Sequence, residues 1–256
     1  MKIKHKITLV SESTLLITFD IASSDSSSKK EHINAQAIQV IEDKNRILLS
    51  RNIAHSQKML CEQYRGFIVD AIPSYTTLLI TVNFLKIDPL SFSQDIDRCL
   101  QKTLSQQNQH EAATRQIDIP VYYDPSTGLD LEDMARAKSC TLADIIEAHT
   151  NRDYTVFALG FLPGFAYLGF VSPDISMARK ANPRQHVPKG SVGIADRQTG
   201  IYPNVSAGGW QIIGRTALPM LEVNNTQEPL CHLAVGDNVR FHAISQAEYL
   251  QQGGEL

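Results

Sequence analysis

Gly160-Phe-Leu-Pro-Gly-Phe-Ala-Tyr-Leu168 opens a stretch that continues through Pro183-Arg-Gln-His-Val-Pro-Lys-Gly-Ser-Val192 and Gln198-Thr-Gly-Ile-Tyr-Pro203. It ends on Gly208-Gly-Trp-Gln-Ile-Ile-Gly-Arg-Thr216. From Gly160 to Gly214, 55 residues hold nine of the chain's fourteen glycines and five of its eleven prolines. Short apolar runs such as Val192-Gly-Ile-Ala195 lie between them. Many short strands joined by Gly/Pro turns predict a β-barrel or β-sandwich. Residues 154–173 carry no charge, a length that would span a bilayer. Three glycines and two prolines inside that run would break a lone helix in lipid, so it reads as a strand followed by a glycine-rich buried loop.

Upstream of this block, residues 117–123 alternate as a strand, and two helices follow. Asp130-Leu-Glu-Asp133 is expected to cap the first and Thr141-Leu-Ala-Asp144 the second, whose apolar face carries Leu142, Ile145, Ile146 and His149. Residues 106–115 are polar and aperiodic and read as a linker. Before it, residues 7–10 and 14–19 read as strands, 23–30 as a solvated loop, 36–41 and 52–64 as helix, and 47–49 as a strand after the Asp43-Lys-Asn45 turn. Two more strands, 66–73 and 75–84, precede an amphipathic helix over 90–107. This order suits a small helix-on-sheet module. Near the other end, Val235-Gly-Asp-Asn-Val-Arg-Phe241 reads as a hairpin.

The 256 residues suffice for one large or two modest domains and for a core that needs no staple. With 43% hydrophobic residues the chain is not a disordered tail, and a net charge of −3 gives no field that would draw in nucleic acid. Cys61, Cys99, Cys140 and Cys231 are scattered, as expected of reduced thiols in the cytoplasm. The basic N-terminus leads into an alternating segment containing Glu12, which is not the continuous apolar core of a signal peptide.

Standard catalytic devices are missing: no phosphate-binding Gly-x-x-x-x-Gly-Lys, no dinucleotide fingerprint, no Gly-x-Ser-x-Gly elbow, and no histidines at metal-ligand spacing. What stands out is that the glycine-rich loops are interleaved with Arg184, Lys189, Gln198, Thr199, Tyr202, Trp210 and Gln211. Packing alone accounts for Tyr202 and Trp210 as core aromatics and for the glycines as corner residues. Loops of that composition on a rigid scaffold also bind small polar or anionic ligands, with Arg184 suited to a planar carboxylate or phosphate and Lys189 to a point charge. His149 reads more readily as an inward or helix-terminal histidine than as an acid/base.

The four quoted motifs resemble those of the bacterial 5-oxoprolinase B subunits. That family is grouped with sporulation-kinase inhibitors and with the first half of urea carboxylase-type carboxyltransferase domains. The resemblance implies an α+β protein: an N-terminal ferredoxin-like α/β module over 1–108 and a C-terminal cyclophilin-like β-barrel over 116–256. It further implies a complex with C and A subunits that opens 5-oxo-L-proline to L-glutamate with ATP; this chain is expected to be inactive alone, and without a phosphate-binding loop the ATP site is either unconventional or on a partner. No metal, nucleic acid or membrane enters. The site implied has Arg184 and Lys189 as cations and His149 as acid/base. Gln198, Thr199, Tyr202, Trp210 and Gln211 would contact the substrate, and Gly160, Pro163, Gly164, Gly208 and Gly209 would shape the loops. A histidine-kinase inhibitor and a biotin-dependent urea or allophanate carboxyltransferase component are the alternatives.

Overall fold

The computed structural model describes residues 3–22, 35–106, 114–223 and 229–256. The solvated loop expected at 23–30 and most of the expected linker, 107–113, lie outside the described residues. The chain divides into two compact units, Met1–Thr114 and Arg115–Leu256.

In the first unit, β1 (Ile3–Ser11) and β2 (Thr14–Ile21) are followed by α1 (Ala35–Gln63), β3 (Ile68–Ser74), β4 (Thr77–Val82) and α2 (Pro89–Gln106). The strands form an antiparallel sheet in the order β1-β2-β4-β3. Alternation decides its faces: Leu15, Ile17 and Phe19 of β2 and Leu78, Ile80 and Val82 of β4 are buried on one side. They pack there against Leu49, Ile53 and Leu60 of α1 and Phe92, Ile96 and Leu100 of α2. The strand expected at 47–49 is instead part of α1, which runs unbroken for 29 residues. Leu49, Ile53, Ser56 and Leu60 are buried at helical spacing, so tertiary burial overrides the local turn signal of Asp43-Lys-Asn45. The connectivity is ββαββα, whereas a ferredoxin-like module runs βαββαβ.

The second unit begins with β5 (Gln116–Val121), α3 (Leu131–Lys138), α4 (Leu142–Thr150), β6 (Asp153–Leu159) and β7 (Ala166–Gly169). Short strands follow: β8 (Arg184–Val187), β9 (Ser191–Ala195), β10 (Gln198–Ile201), β11 (Ser206–Gly208) and β12 (Gln211–Arg215). Then come β13 (Leu221–Val223), β14 (Pro229–Cys231), β15 (Asn238–Ala243) and α5 (Gln246–Gln251). Seven of these strands form one sheet, ordered β12-β9-β10-β7-β6-β15-β5. It curls until its two edges touch, where Tyr122, just past β5, exchanges both backbone hydrogen bonds with Arg215 of β12 at 2.9 and 3.0 Å. The charge-free run is thus β6, a tight turn and β7. No helix among the described residues is long and apolar enough to cross a membrane. The expected hairpin at 235–241 is a turn entering β15, whose partners are the distant β5 and β6. Pairing across the whole unit decides that strand's neighbours, which no local signal could report. Thr141 caps α4 as expected, its hydroxyl accepting from Asp144 N–H while the Asp144 carboxylate accepts from Thr141 N–H at 2.8 Å.

Strands β9, β10 and β12 are covered on both faces. Val192, Ile194, Ile201 and Ile213 join the barrel interior. On the other face Ala195, Tyr202 and Ile212 join Phe165, Val187 and Trp210 in a separate aromatic cluster. Glycines make that second layer possible. A Cβ on Gly193 would lie 3.0 Å from Cβ of Trp210, and one on Gly200 would lie 3.1 Å from the Phe165 ring.

Candidate functional site

The outer aromatic layer adjoins a buried carboxylate. Asp130 occupies the position just before α3, yet its side chain makes no capping bond. It turns to β12, where Asp130 N–H donates to Ile212 O at 2.8 Å and Ile212 N–H donates to its Oδ2 at 2.7 Å. Arg184 on β8 donates to the same carboxylate through both terminal nitrogens at 2.7 Å, and Lys180 Nζ donates at 2.6 Å. The Asp130 side chain is 0% exposed, whereas those of Lys180 and Arg184 keep 28% and 24% exposure. Burial pushes the Asp130 carboxyl up, but hydrogen bonds from Arg184, Lys180 and Ile212 N–H outweigh it and hold the group below the usual carboxylate range. The expected cap on α3 is thus replaced by an ion cluster with two cations on one acid.

A third cation stands beside it. The Arg179 guanidinium lies over the Trp210 ring, 5.8 Å from its centroid, and has no carboxylate partner among the described residues. The segment bearing Arg179 and Lys180 is fastened to the Gly208–Gln211 loop. Lys180 N–H donates to Gly209 O at 2.7 Å, and Gln211 Nε2 donates to Ala178 O at 2.8 Å. Gly208 has to be glycine, because a Cβ there would lie 2.2 Å from the Tyr202 hydroxyl. That buried hydroxyl is pushed up in pKa by desolvation, opposed by a hydrogen bond from the Trp210 backbone. The result is a partly exposed rim carrying three positive charges against one negative, backed by Tyr167, Tyr202 and Trp210.

Inside the barrel a second polar chain is sealed from solvent. His149, in the last turn of α4, is 0% exposed and packs on Phe241 with ring centroids 4.6 Å apart. The Thr199 hydroxyl donates to Gly193 O at 3.1 Å, so its single hydrogen is committed. His149 Nε2–H therefore donates to Thr199 Oγ1 at 2.9 Å, and Nδ1 accepts from the Tyr123 hydroxyl at 2.7 Å. Burial, with a smaller contribution from nearby Arg152, pulls the His149 pKa down to about 3, so the ring is neutral at physiological pH. Desolvation likewise keeps Tyr123 protonated.

The expected site residues thus fall in three places. Arg184, Tyr202, Gly208, Gly209, Trp210 and Gln211 gather around the cationic rim. Thr199 faces inward to His149, one residue after the half-buried Gln198 that opens β10. Lys189 is exposed at the turn between β8 and β9 and lines a different cavity of about 310 Å³. Gly160, Pro163 and Gly164 form the β6–β7 turn, where Gly164 takes φ +84° and Phe161, a residue 61% exposed, takes φ +74°. Sequence reasoning missed Asp130, Arg179 and Lys180. The usable signal was the Arg179-Lys180 pair just ahead of Arg184, three cations within six residues inside the glycine-rich block. No group of three or more His, Cys, Asp or Glu among the described residues could hold a metal ion.

Residues 6–232 match the family described as "Carboxyltransferase domain, subdomain C and D". The 5-oxoprolinase B subunit of Bacillus subtilis (strain 168) is 32% identical over 258 aligned positions, covering 97% of each chain. Its counterpart of the same name in Haemophilus influenzae is 46% identical, covering 50% of this chain and 59% of its own. Among solved structures, TTHA0988 superposes with a TM-score of 0.66 at 27% identity over 91% of this chain, which spans only 40% of that longer protein. Kluyveromyces lactis urea carboxylase, at 16% identity, TM-score 0.56 and coverage of 96% of this chain but 22% of its own, shares the fold.

Proposed function

Because the chain belongs to the carboxyltransferase C and D family, and within it to the 5-oxoprolinase B subunits, we propose that it serves as the B component of a multi-subunit 5-oxoprolinase that opens 5-oxo-L-proline to L-glutamate. The observation that carries this reading is the end-to-end correspondence with the Bacillus relative, 97% of both chains. We read the first unit as a ferredoxin-like module whose last strand has moved to the front of the chain, and the second as a cyclophilin-like barrel. The expected extents remain 1–108 and 116–256.

The reaction sets the requirements. A five-membered lactam is a stable amide, so water attacks it at neutral pH only after its carbonyl is activated. Phosphorylation of that oxygen by ATP supplies the activation, and cations must then offset the developing phosphate charge. Arg179, Lys180 and Arg184 provide that positive rim, with Asp130 holding two of them in place. Tyr202, Trp210, Gln211 and Gln198 line and orient the reacting molecule. His149 works through Thr199 as a positioning group, since both its ring nitrogens are engaged inside the barrel. In this reading C and A subunits complete the enzyme, ATP binds on a partner, the isolated chain is inactive, and the complex is cytoplasmic. The four unpaired cysteines suit a reducing compartment.

The test is co-expression with candidate C and A subunits, followed by glutamate release from 5-oxo-L-proline with and without ATP. ATP-dependent glutamate from the assembled complex, and none from the isolated chain, is the expected result. A well-formed three-subunit complex that releases no glutamate overturns the reading.

A further inference from the structure

Lys189 stands apart from the cationic rim, in a cavity built by segments far apart in sequence. Its volume of about 310 Å³ lies at the small end of ligand pockets. Three turns of the glycine-rich block each contribute part of its wall: Pro188-Lys-Gly190, Tyr202-Pro203, and Arg215-Thr216. These parts are locked together. Gly190 N–H donates to Tyr202 O at 2.8 Å, and Thr216 N–H donates to Gly190 O at 2.9 Å. Gly190 takes φ +78°, and a Cβ there would lie 2.1 Å from Thr216 O, so the turn presenting Lys189 tolerates only glycine beside it.

Further wall comes from Tyr249 of α5 and the residues that follow the helix. Arg215 NH1 and the Tyr249 hydroxyl both donate to Glu255 O, each at 3.0 Å. Gly254 lies so close to the Tyr249 ring that a Cβ would approach Cζ to 2.4 Å. Two cations, Lys189 and Arg215, therefore line one partly open cavity together with the apolar surfaces of Pro188, Pro203 and Leu218. Neither cation has an ion pair among the described residues, and Glu255 is the one acid on the lining.

We propose that this cavity is a binding site for a small organic carboxylate, its anionic group met by Lys189 and Arg215 and its compact body by Pro188, Pro203 and Leu218. The choice of ligand rests on the 5-oxoprolinase reading, which nominates 5-oxo-L-proline and L-glutamate. A charge on a compact five-membered ring matches a cavity with cations at some walls and prolines at others. The site is separate from the Asp130 cluster, with which it shares no cation.

Calorimetric titration of the full chain, alone and in its assembled complex, with 5-oxo-L-proline, L-glutamate and inorganic phosphate tests the assignment. Saturable binding of either organic acid is expected, weakened at least tenfold by Lys189→Glu, with the thermal melt unchanged because Lys189 is exposed and makes no hydrogen bond among the described residues. Gly254→Ala, which pushes the tail off Tyr249 without altering charge, is expected to weaken binding as well. Binding of phosphate but neither acid overturns the proposal, as does binding unaffected by Lys189→Glu, or no binding in either form. Glutamate release by the complex separates the two readings. Turnover without binding here removes the site alone, and binding without turnover removes the 5-oxoprolinase reading alone.

Discussion

Arg184 holds Asp130 through both terminal guanidinium nitrogens, at 2.7 Å each, across 54 positions of sequence. The acid is fully buried and the cation partly exposed, so the pair is anchored from its negative end. Removing that end leaves Lys180 and Arg184 facing each other without a counter-charge.

Asp130→Asn is accordingly expected to cost about 3–5 kcal/mol, the range for stranding one partner of a buried pair. Urea denaturation measures it. The folded carboxyl lies below its ordinary value, so its contribution is present above the unfolded pKa of about 3.9 and is lost as pH falls toward the folded one. Acid unfolding of the wild type should therefore contain a component that the Asn variant lacks. A variant as stable as wild type at neutral pH would show the cluster to be energetically idle.

Titration of His149 predicts a second pH effect of distinct range. Its folded pKa of about 3 lies below the ordinary value of about 6.5, so the unfolded chain binds the proton first as pH falls. Stability from this group is complete above about 6.5 and declines toward about 3, with a limiting slope of roughly 1.4 kcal/mol per pH unit. His149→Gln should flatten the stability–pH curve in that window by about one proton, while lowering stability overall. An unchanged slope would place a charged imidazole in the barrel and contradict the assigned tautomer.

Gly208→Ala should destabilise by about 1–3 kcal/mol, because the added methyl meets the Tyr202 hydroxyl and ring carbons. Tyr202→Phe in the same chain is expected to recover part of that loss and no more, since Cζ and Cε1 would still lie within 2.8 Å. A thermal-melt double-mutant cycle reads the coupling, and strict additivity would mean the loop moves away from Tyr202 instead.

Phe161 combines an exposed ring with a left-handed backbone angle, a conformation that costs of order 1–3 kcal/mol in non-glycine residues. Phe161→Gly should leave the isolated chain as stable or about 1 kcal/mol more so, while lowering glutamate release by the complex. Full activity in this variant would show that the ring is not used.

Much of the second unit was legible because glycine and proline mark corners locally: the strands of the 160–216 block and the Thr141 capping box follow from neighbours within a few positions. Asp130 was not legible. Next to Leu131 and Glu132 it has the local pattern of a helix cap, and only partners fifty or more residues on, Lys180, Arg184 and Ile212, divert it. The continuity of α1 failed for the same reason, since Asp43-Lys-Asn45 reads as a turn until packing of Leu49 and Ile53 is known. Lys189 and Arg184 sit five residues apart in one motif, yet β8 and its turn carry them to separate surroundings. Spacing along a motif reported membership, not proximity.

The double-sided cover of β12 has one more consequence. Ile212 bonds Asp130 through its backbone on the outside, and Ile213 fills the barrel on the inside. The strand is a party wall between two rooms, with no spare face turned to water. A shift by a single residue would exchange the contents of both rooms at once. Variation in this part of the chain is therefore all or nothing, and the charged rim inherits the rigidity of a core without being buried in one.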